Sequence, residues 1–577
     1  MRGLKLAAVL LAILMTFVVF APLSLAAEPN TIVSNSADWK DVYSVMLFAS
    51  LTQRQATFLV SDRHALLLPE YLTPDTHIWV ISSPNNEFTI GYDSYLRTRG
   101  FTTEGFEYDN VNLELAKQTD MKNFIIVDDS YGYNSVAVAP YAVVSKSYVL
   151  FADSTNIDQI DSFLTDRNPD KVLIYGHVDR TVKDALAKYS PEIINKDGDR
   201  FANNVEILKK YQDIAHAKQV ILTNGEFIEQ EIMSGKEPVI FIGRTNVPDV
   251  TREYIQGSDI SVGVLIGNEL VSTATFVRRE LGISVFVKFA RSARNPAGSI
   301  SQVEALDMFY LPTYSVEIVI DSVSYNKATR QLEIVFRNTK DVAAYFKGTY
   351  TITNADGTRQ TVGDAEPIFI EPNSYKTVTY VVDGFTENSV IDAYVIYGES
   401  KNSLENVIQE QFCMACSKKF SMIDVIDNCQ LNLTSVSYNL PRKLFYAEIE
   451  NIGPVGCYLD IELVDVMVAA ERVTYHLTDV AYVDAGQSKE LRIKGALEQD
   501  DIQDNQFVNA KVYYGQRQNG LVKILEGRFP LLIITQAFSA MTIISYALLA
   551  VIIIILALLL WLFFAKRRRK RKSYDNQ

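Results

Sequence analysis

Histidine, tryptophan and cysteine are scarce in this chain: five, three and four residues among 577. The histidines, His64, His77, His177, His216 and His476, are scattered. None forms the His-x-x-x-His or His-x-x-Glu-His pair that holds a catalytic zinc. Gly-x-Ser-x-Gly is missing, as are Gly-x-x-x-x-Gly-Lys and a Gly-x-Gly-x-x-Gly placed after a strand. These absences argue against a nucleophile elbow, a phosphate-cradling loop and a dinucleotide site. Asp128-Asp129 and Asp197-Gly198-Asp199 read as solvated acidic loops. The sequence predicts no enzyme, no cofactor, no catalytic residue and no metal site.

Charge is missing from one long stretch. Between Arg528 and Lys566 no residue is charged, and Thr542 to Phe564 is predominantly apolar. That length suits a bilayer span, and the basic run Lys566–Lys572 suits its cytoplasmic flank. Residues 1–26 carry Arg2 and Lys5, an apolar core and then Ser24-Leu25-Ala26, the order of a secretory signal peptide. The expectation is a single-pass type I protein of the cell membrane, with residues 542–564 as a transmembrane helix and 565–577 as a short basic cytoplasmic tail. The net charge is −14; setting aside +6 for the tail and +2 for the leader leaves −22 on the exported part. An acidic exterior argues against nucleic acid as a partner.

All four cysteines lie at or beyond Cys413. Export makes disulfides the default, and one Cys-x-x-Cys followed by unevenly spaced single cysteines is a poor zinc set. Gln430–Asn439 and Lys443–Ile452 read as a hairpin turning at Leu440-Pro441-Arg442, which brings Cys429 and Cys457 to the same end. These two are expected to pair; Cys413 and Cys416 then pair with each other or stay reduced. The sequon Asn432-Leu433-Thr434 makes Asn432 a glycosylation candidate.

From Asn123 to Tyr189, short apolar runs alternate with helix-length amphipathic segments, as in a parallel sheet with crossover helices. The pattern recurs at a step of 91. Ser44-Val45-Met46-Leu47 precedes Ser135-Val136-Ala137-Val138 by that step, and Phe58-Leu59-Val60 precedes Val149-Leu150-Phe151. The step leads on to Ile240-Phe241-Ile242, and from Gly176 to Gly267. Three tandem Rossmann-like α/β modules follow, at 27–119, 120–214 and 215–297.

At the end of the second module stands Gly198-Asp199-Arg200-Phe201, running on to Val205-Glu206-Ile207. With the strands at Lys171–Gly176 and Val262–Gly267, this resembles the cell-wall-binding repeat type 2 family. Asp199, Arg200, Phe201, Gly176 and Gly267 fall on its motif positions, while His177 and Asn268 stand where it usually has a second glycine. The first module keeps Tyr108-Asp109-Asn110 and Leu113-Glu114-Leu115 but lacks the arginine. The resemblance implies a non-enzymatic triplet that holds an anionic wall polymer in the grooves between modules. The one basic cluster on the exported part, Arg278, Arg279, Lys288, Arg291 and Arg294, is the candidate polymer contact.

Beyond Pro296-Ala297-Gly298, β-branched and aromatic strands appear between turns such as Asn354-Ala355-Asp356-Gly357. Ser322-Val323-Ser324-Tyr325-Asn326 recurs 113 residues on as Ser435-Val436-Ser437-Tyr438-Asn439. Two β-sandwiches are expected, at 313–400 and 429–535, joined by a linker at 401–428. They resemble the immunoglobulin-like stalk domains of archaeal surface-layer-type proteins. The functional expectation is a membrane-anchored cell-surface protein that binds an envelope polymer or a neighbouring surface-layer protein. The alternatives are a structural envelope component without glycan binding and, third, an ectoenzyme with an inter-module cleft.

Overall fold

A computed structural model describes residues 30–74, 76–130, 132–267, 270, 274–289, 306–313, 315–535, 548–549 and 551–562. The chain divides into two compact units. The first comprises Met1–Val323, Phe336–Tyr375 and Val382–Phe420; the second comprises Ser324–Val335, Lys376–Val381 and Ser421–Gln577.

The first unit carries three parallel sheets. The first holds β1 (Thr31–Ser34), β2 (Gln55–Phe58), β3 (His77–Ser82) and β4 (Thr102–Glu107) in the order β2-β1-β3-β4. The second holds β5 (Asn123–Val127), β6 (Ser147–Phe151), β7 (Lys171–Tyr175) and β8 (Glu192–Ile194) in the order β6-β5-β7-β8. Then come β9 (Gln219–Thr223), the short β10 (Phe227–Ile228), β11 (Val239–Phe241), β12 (Val262–Ile266) and β13 (Ser284–Lys288), with the third sheet ordered β11-β9-β12-β13. In all three, the first strand lies inside and the second at the edge. β5 and β6 read as unbroken apolar runs because strands of a sheet covered on both faces need no polar side.

The 91-residue step maps onto this order. Ser44 and Ser135 lie on the helices Trp39–Leu51 and Tyr133–Val144 that follow the first strand of their sheets. Both helices are buried almost all round, and they pack with Arg200–Ile214 into one core that includes Met46, Val136, Phe201 and Phe241. Tyr43 donates its hydroxyl proton to Ser135 O at 2.9 Å across the first two modules. Gly176 and Gly267 each follow the third strand of their sheet, with φ of 76° and 137° that a Cβ would strain.

Between Phe309 and Ile534 the chain is mostly β, with a one-turn helix at Asp501–Asp504. After β14 (Phe309–Tyr310) come β15 (Ile318–Asn326), β16 (Gln331–Asn338), β17 (Ala344–Thr353), β18 (Arg359–Gly363), β19 (Ile368–Ile370), β20 (Tyr375–Val381), β21 (Val390–Gly398), β22 (Asn406–Phe412) and β23 (Ser421–Ile423). They form two sheets, β20-β16-β15-β23 and β18-β17-β21-β22, with β19 on β17. The segment expected as a linker, 401–428, therefore contains two strands. β22 pairs antiparallel with β21 from Ile391↔Phe412 to Tyr397↔Asn406. As an edge strand carrying Gln409-Glu410-Gln411 it lacks the apolar alternation that marks a half-buried strand.

The last sheet holds β24 (Leu431–Asn439), β25 (Leu444–Asn451), β26 (Cys457–Val468), β27 (Glu471–His476), β28 (Ala481–Val483), β29 (Ser488–Lys494), β30 (Phe507–Gly515) and β31 (Lys523–Ile534). Its order is β27-β26-β30-β31-β24-β25-β29, with β28 on β26. The hairpin β24–β25 turns through Leu440–Arg442 as expected. Cys429 and Cys457 are bonded, with 5.5 Å between Cα atoms, and Cys413 and Cys416 are bonded to each other. Asn432 is exposed on β24.

The expected membrane span is overturned. Among the described residues no helix is long and apolar enough to cross a membrane. Within 542–564 the described residues are 548–549 and 551–562, and they are helical. The single-pass localisation goes with it. The segments read as leader and basic tail, 1–26 and 565–577, lie outside the described residues.

Candidate functional site

The family-motif segment is built by a sharp turn. Asp197 and Gly198 take left-handed backbone angles, φ of 51° and 75°, and deliver Asp199 to the N-cap of the helix Arg200–Ile214. Its Oδ1 accepts from the N–H groups of Phe201 at 2.9 Å and Ala202 at 3.0 Å, which satisfies donors a helix start leaves open. The same carboxylate accepts the hydroxyls of Ser400 at 2.8 Å and Ser403 at 2.7 Å. Asp199 thus caps its own helix and anchors the loop after β21.

Arg200 completes the anchor. Its Nε lies 3.0 Å from Glu399 Oε1 and its Nη2 3.5 Å from Glu405 Oε1. Its guanidinium lies over the rings of Tyr133 and Phe201, with Cζ at 5.0 and 4.7 Å from their centroids. The three charged side chains are 6–9 % exposed. One arginine cannot balance two buried carboxylates. Burial, with Arg200 opposing and Glu399 beside it, pushes the Glu405 carboxyl up to about 8; burial, with Arg200 opposing and Asp199 beside it, raises Glu399 too, and Arg200 is held protonated by both glutamates.

The backbone of the loop is bonded too. Glu405 O accepts from Asn246 N at 3.1 Å, Leu404 O accepts from Asn246 Nδ2 at 2.6 Å, and Val407 N donates to Thr245 Oγ1 at 2.9 Å. Gly243 is a true requirement here, since a Cβ would collide with Glu405 O. The loop therefore covers the carboxyl ends of β11 and its neighbours, where open α/β sheets place their ligands. The cavity left beside Arg200, Asn224, Glu226, Arg244 and Glu405 measures about 30 Å³, the volume of a single water. A wider surface groove of about 660 Å³ is lined by Lys117, Asp158, Ser162, Phe163, Asp166 and Arg167.

Three of the five residues of the candidate basic cluster are described. Arg278 and Arg279 are exposed on the helix Ala274–Leu281. Lys288, at the end of β13, is 2.5 Å from the buried Glu229 and 3.7 Å from Glu231. Arg291 and Arg294 lie outside the described residues.

Sequence reasoning missed Glu399, Ser400, Ser403 and Glu405, some 200 positions from their partners. It also missed a repeated seal between modules. Buried Asn112 donates to Val149 O at 2.9 Å and accepts from Phe151 N at 3.3 Å on the edge strand β6. Buried Asn204 donates to Val239 O at 3.2 Å and accepts from Phe241 N at 2.8 Å on the edge strand β11. The signal was present: each asparagine immediately precedes the matched Leu113-Glu114-Leu115 or Val205-Glu206-Ile207.

No family model matches the chain, and no curated protein does. Among solved structures, the periplasmic chaperone SfaE is 13% identical, with 38% of this chain and 100% of that chain covered and a TM-score of 0.12. An Escherichia coli alpha-2-macroglobulin is 8% identical over 40% of this chain and 24% of its own, with a TM-score of 0.14. Squid arrestin is 12% identical over 38% of this chain and 94% of its own, with a TM-score of 0.11.

Proposed function

We propose that this chain is a non-catalytic structural component of a cell envelope, with three Rossmann-like modules and immunoglobulin-like sandwiches acting as a scaffold and not as a glycan receptor. One observation carries the reading. The Asp199-Arg200 pair, which the resemblance to the cell-wall-binding repeats makes a motif position, is taken up by Glu399, Ser400, Ser403 and Glu405 of the same chain. A groove filled by its own loop has no room for a polymer strand. The two disulfides fit an oxidising compartment. The pairing of Lys288 with Glu229 favours the same reading, because it engages one cation of the candidate polymer contact.

The test is a glycan array of carboxylated and sulfated polysaccharides probed with the full chain. No saturable binding is expected. Saturable binding that Arg278→Ala with Arg279→Ala removes would restore the polymer-receptor reading and sink this one.

A further inference from the structure

The second unit buries a lysine between two carboxylates. Lys376, at the start of β20, is 3 % exposed; Asp460 and Glu462, two apart on one face of β26, are 7 % and 1 % exposed. Lys376 Nζ lies 2.6 Å from Glu462 Oε1 and 3.5 Å from Asp460 Oδ2. The ring of Tyr513, the cross-strand partner of Asp460 on β30, covers the nitrogen with its centroid 3.8 Å away. Lysine is among the side chains least often fully buried. As an ion cluster this one is costly, because one ammonium faces two desolvated carboxylates.

The same arrangement holds the three parts of an acyl-transfer site: an amine, a carboxyl carbon and a second carboxylate to move protons. We propose that Lys376 Nζ and the Asp460 carboxyl join in an isopeptide bond, with Glu462 as the proton carrier. Glu462 makes the short contact to Nζ, which places it to take a proton from the ammonium. Asp460 Oδ2, 3.5 Å from Nζ, brings the carboxyl carbon that bears it next to the nitrogen. The neutral amine adds to Asp460 Cγ, and one Asp460 oxygen leaves as water with two of the three protons that Nζ carried. Glu462 relays those protons and ends as it began. The N–C bond formed replaces the C–O bond broken, so no oxidant, reductant or activating group is needed. Tyr513 keeps bulk water off the nitrogen, and exclusion of water opposes hydrolysis of the product. The bond would tie positions 84 residues apart.

Peptide mapping of the full chain, reduced and denatured, tests this directly. The expected product is a branched peptide joining the segments that contain Lys376 and Asp460, one water lighter than their sum. Asp460→Ala should abolish the branch. Glu462→Gln, which keeps both reacting groups, should slow its formation by about a hundredfold. Lys376→Arg should keep the ion pairs and yield only linear peptides. Recovery of linear, unmodified Lys376 and Asp460 peptides from the wild-type chain overturns the proposal. A branch at Glu462 in place of Asp460 overturns the assignment of roles.

Discussion

Arg200 shows what a buried charge demands of its surroundings. Removing it takes the cation away from the buried Glu399 and Glu405 side chains. Arg200→Met should therefore destabilise the first unit by about 3–5 kcal/mol, the usual cost of breaking a buried ion pair from one side. Urea denaturation followed by tryptophan fluorescence would measure it; a loss below about 1 kcal/mol would mean that the pair contributes little. The pH response has a definite sign. Glu405 ordinarily titrates near 4.5 and is pushed to about 8 in the folded chain. The native state thus holds a proton that the unfolded chain has released. That contribution is intact below about 4.5 and is lost as pH rises towards 8. Asp41 and Glu229, also raised by burial, act in the same direction. Melting temperature should fall between pH 5 and pH 8, and Glu405→Gln should flatten the fall. A wild-type profile that rises over this interval contradicts the assignment.

At the level of elements, the repeated seal makes a matched pair of experiments. Asn112 and Asn204 each give an edge strand the donor and acceptor that a neighbouring strand would otherwise supply. Asn112→Ala and Asn204→Ala should each cost about 1–3 kcal/mol, the penalty of leaving buried backbone groups unpaired. Similar losses are expected at both sites, measured by chemical denaturation, because each asparagine bonds a carbonyl and an N–H two residues apart on an edge strand. The sheet strands, their helices and the β24–β25 hairpin were legible because apolar period and turn chemistry are local properties. The pairing of Cys429 with Cys457 followed from that hairpin, and deleting both cysteines should cost the second unit about 3 kcal/mol in the chain-entropy model. β22 was not legible, because an edge strand needs little apolar surface. The partners of Arg200 were not legible either, since nothing near residue 200 specifies a loop some 200 positions downstream.

On the scale of the whole chain, the three parallel sheets are not three independent cores. Met46 from the first, Val136 and Phe201 from the second, and Phe241 from the third belong to one buried cluster, which Met308, Phe309 and Leu311 extend beyond the modules. Cut out alone, the middle module would expose both faces of this cluster. The helix Tyr133–Val144 would lose the helix Trp39–Leu51 on one side, and Arg200–Ile214 would lose the edge strand β11 that Asn204 holds. Its valines (Val136, Val138, Val143 and Val144) and Pro140 give that middle helix little stability of its own. Hydrophobic burial supplies most of the favourable free energy of folding, so a fragment stripped of its shared faces falls below what ordering the chain costs. Residues 120–214 expressed alone should keep far-ultraviolet helical signal, lose near-ultraviolet circular dichroism and melt without a sharp transition. Residues 28–297 with the loop that carries Glu399 and Glu405 should melt in one step. A sharp, cooperative transition for 120–214 by itself would show that each module owns its core, and the shared cluster would then be contact without dependence.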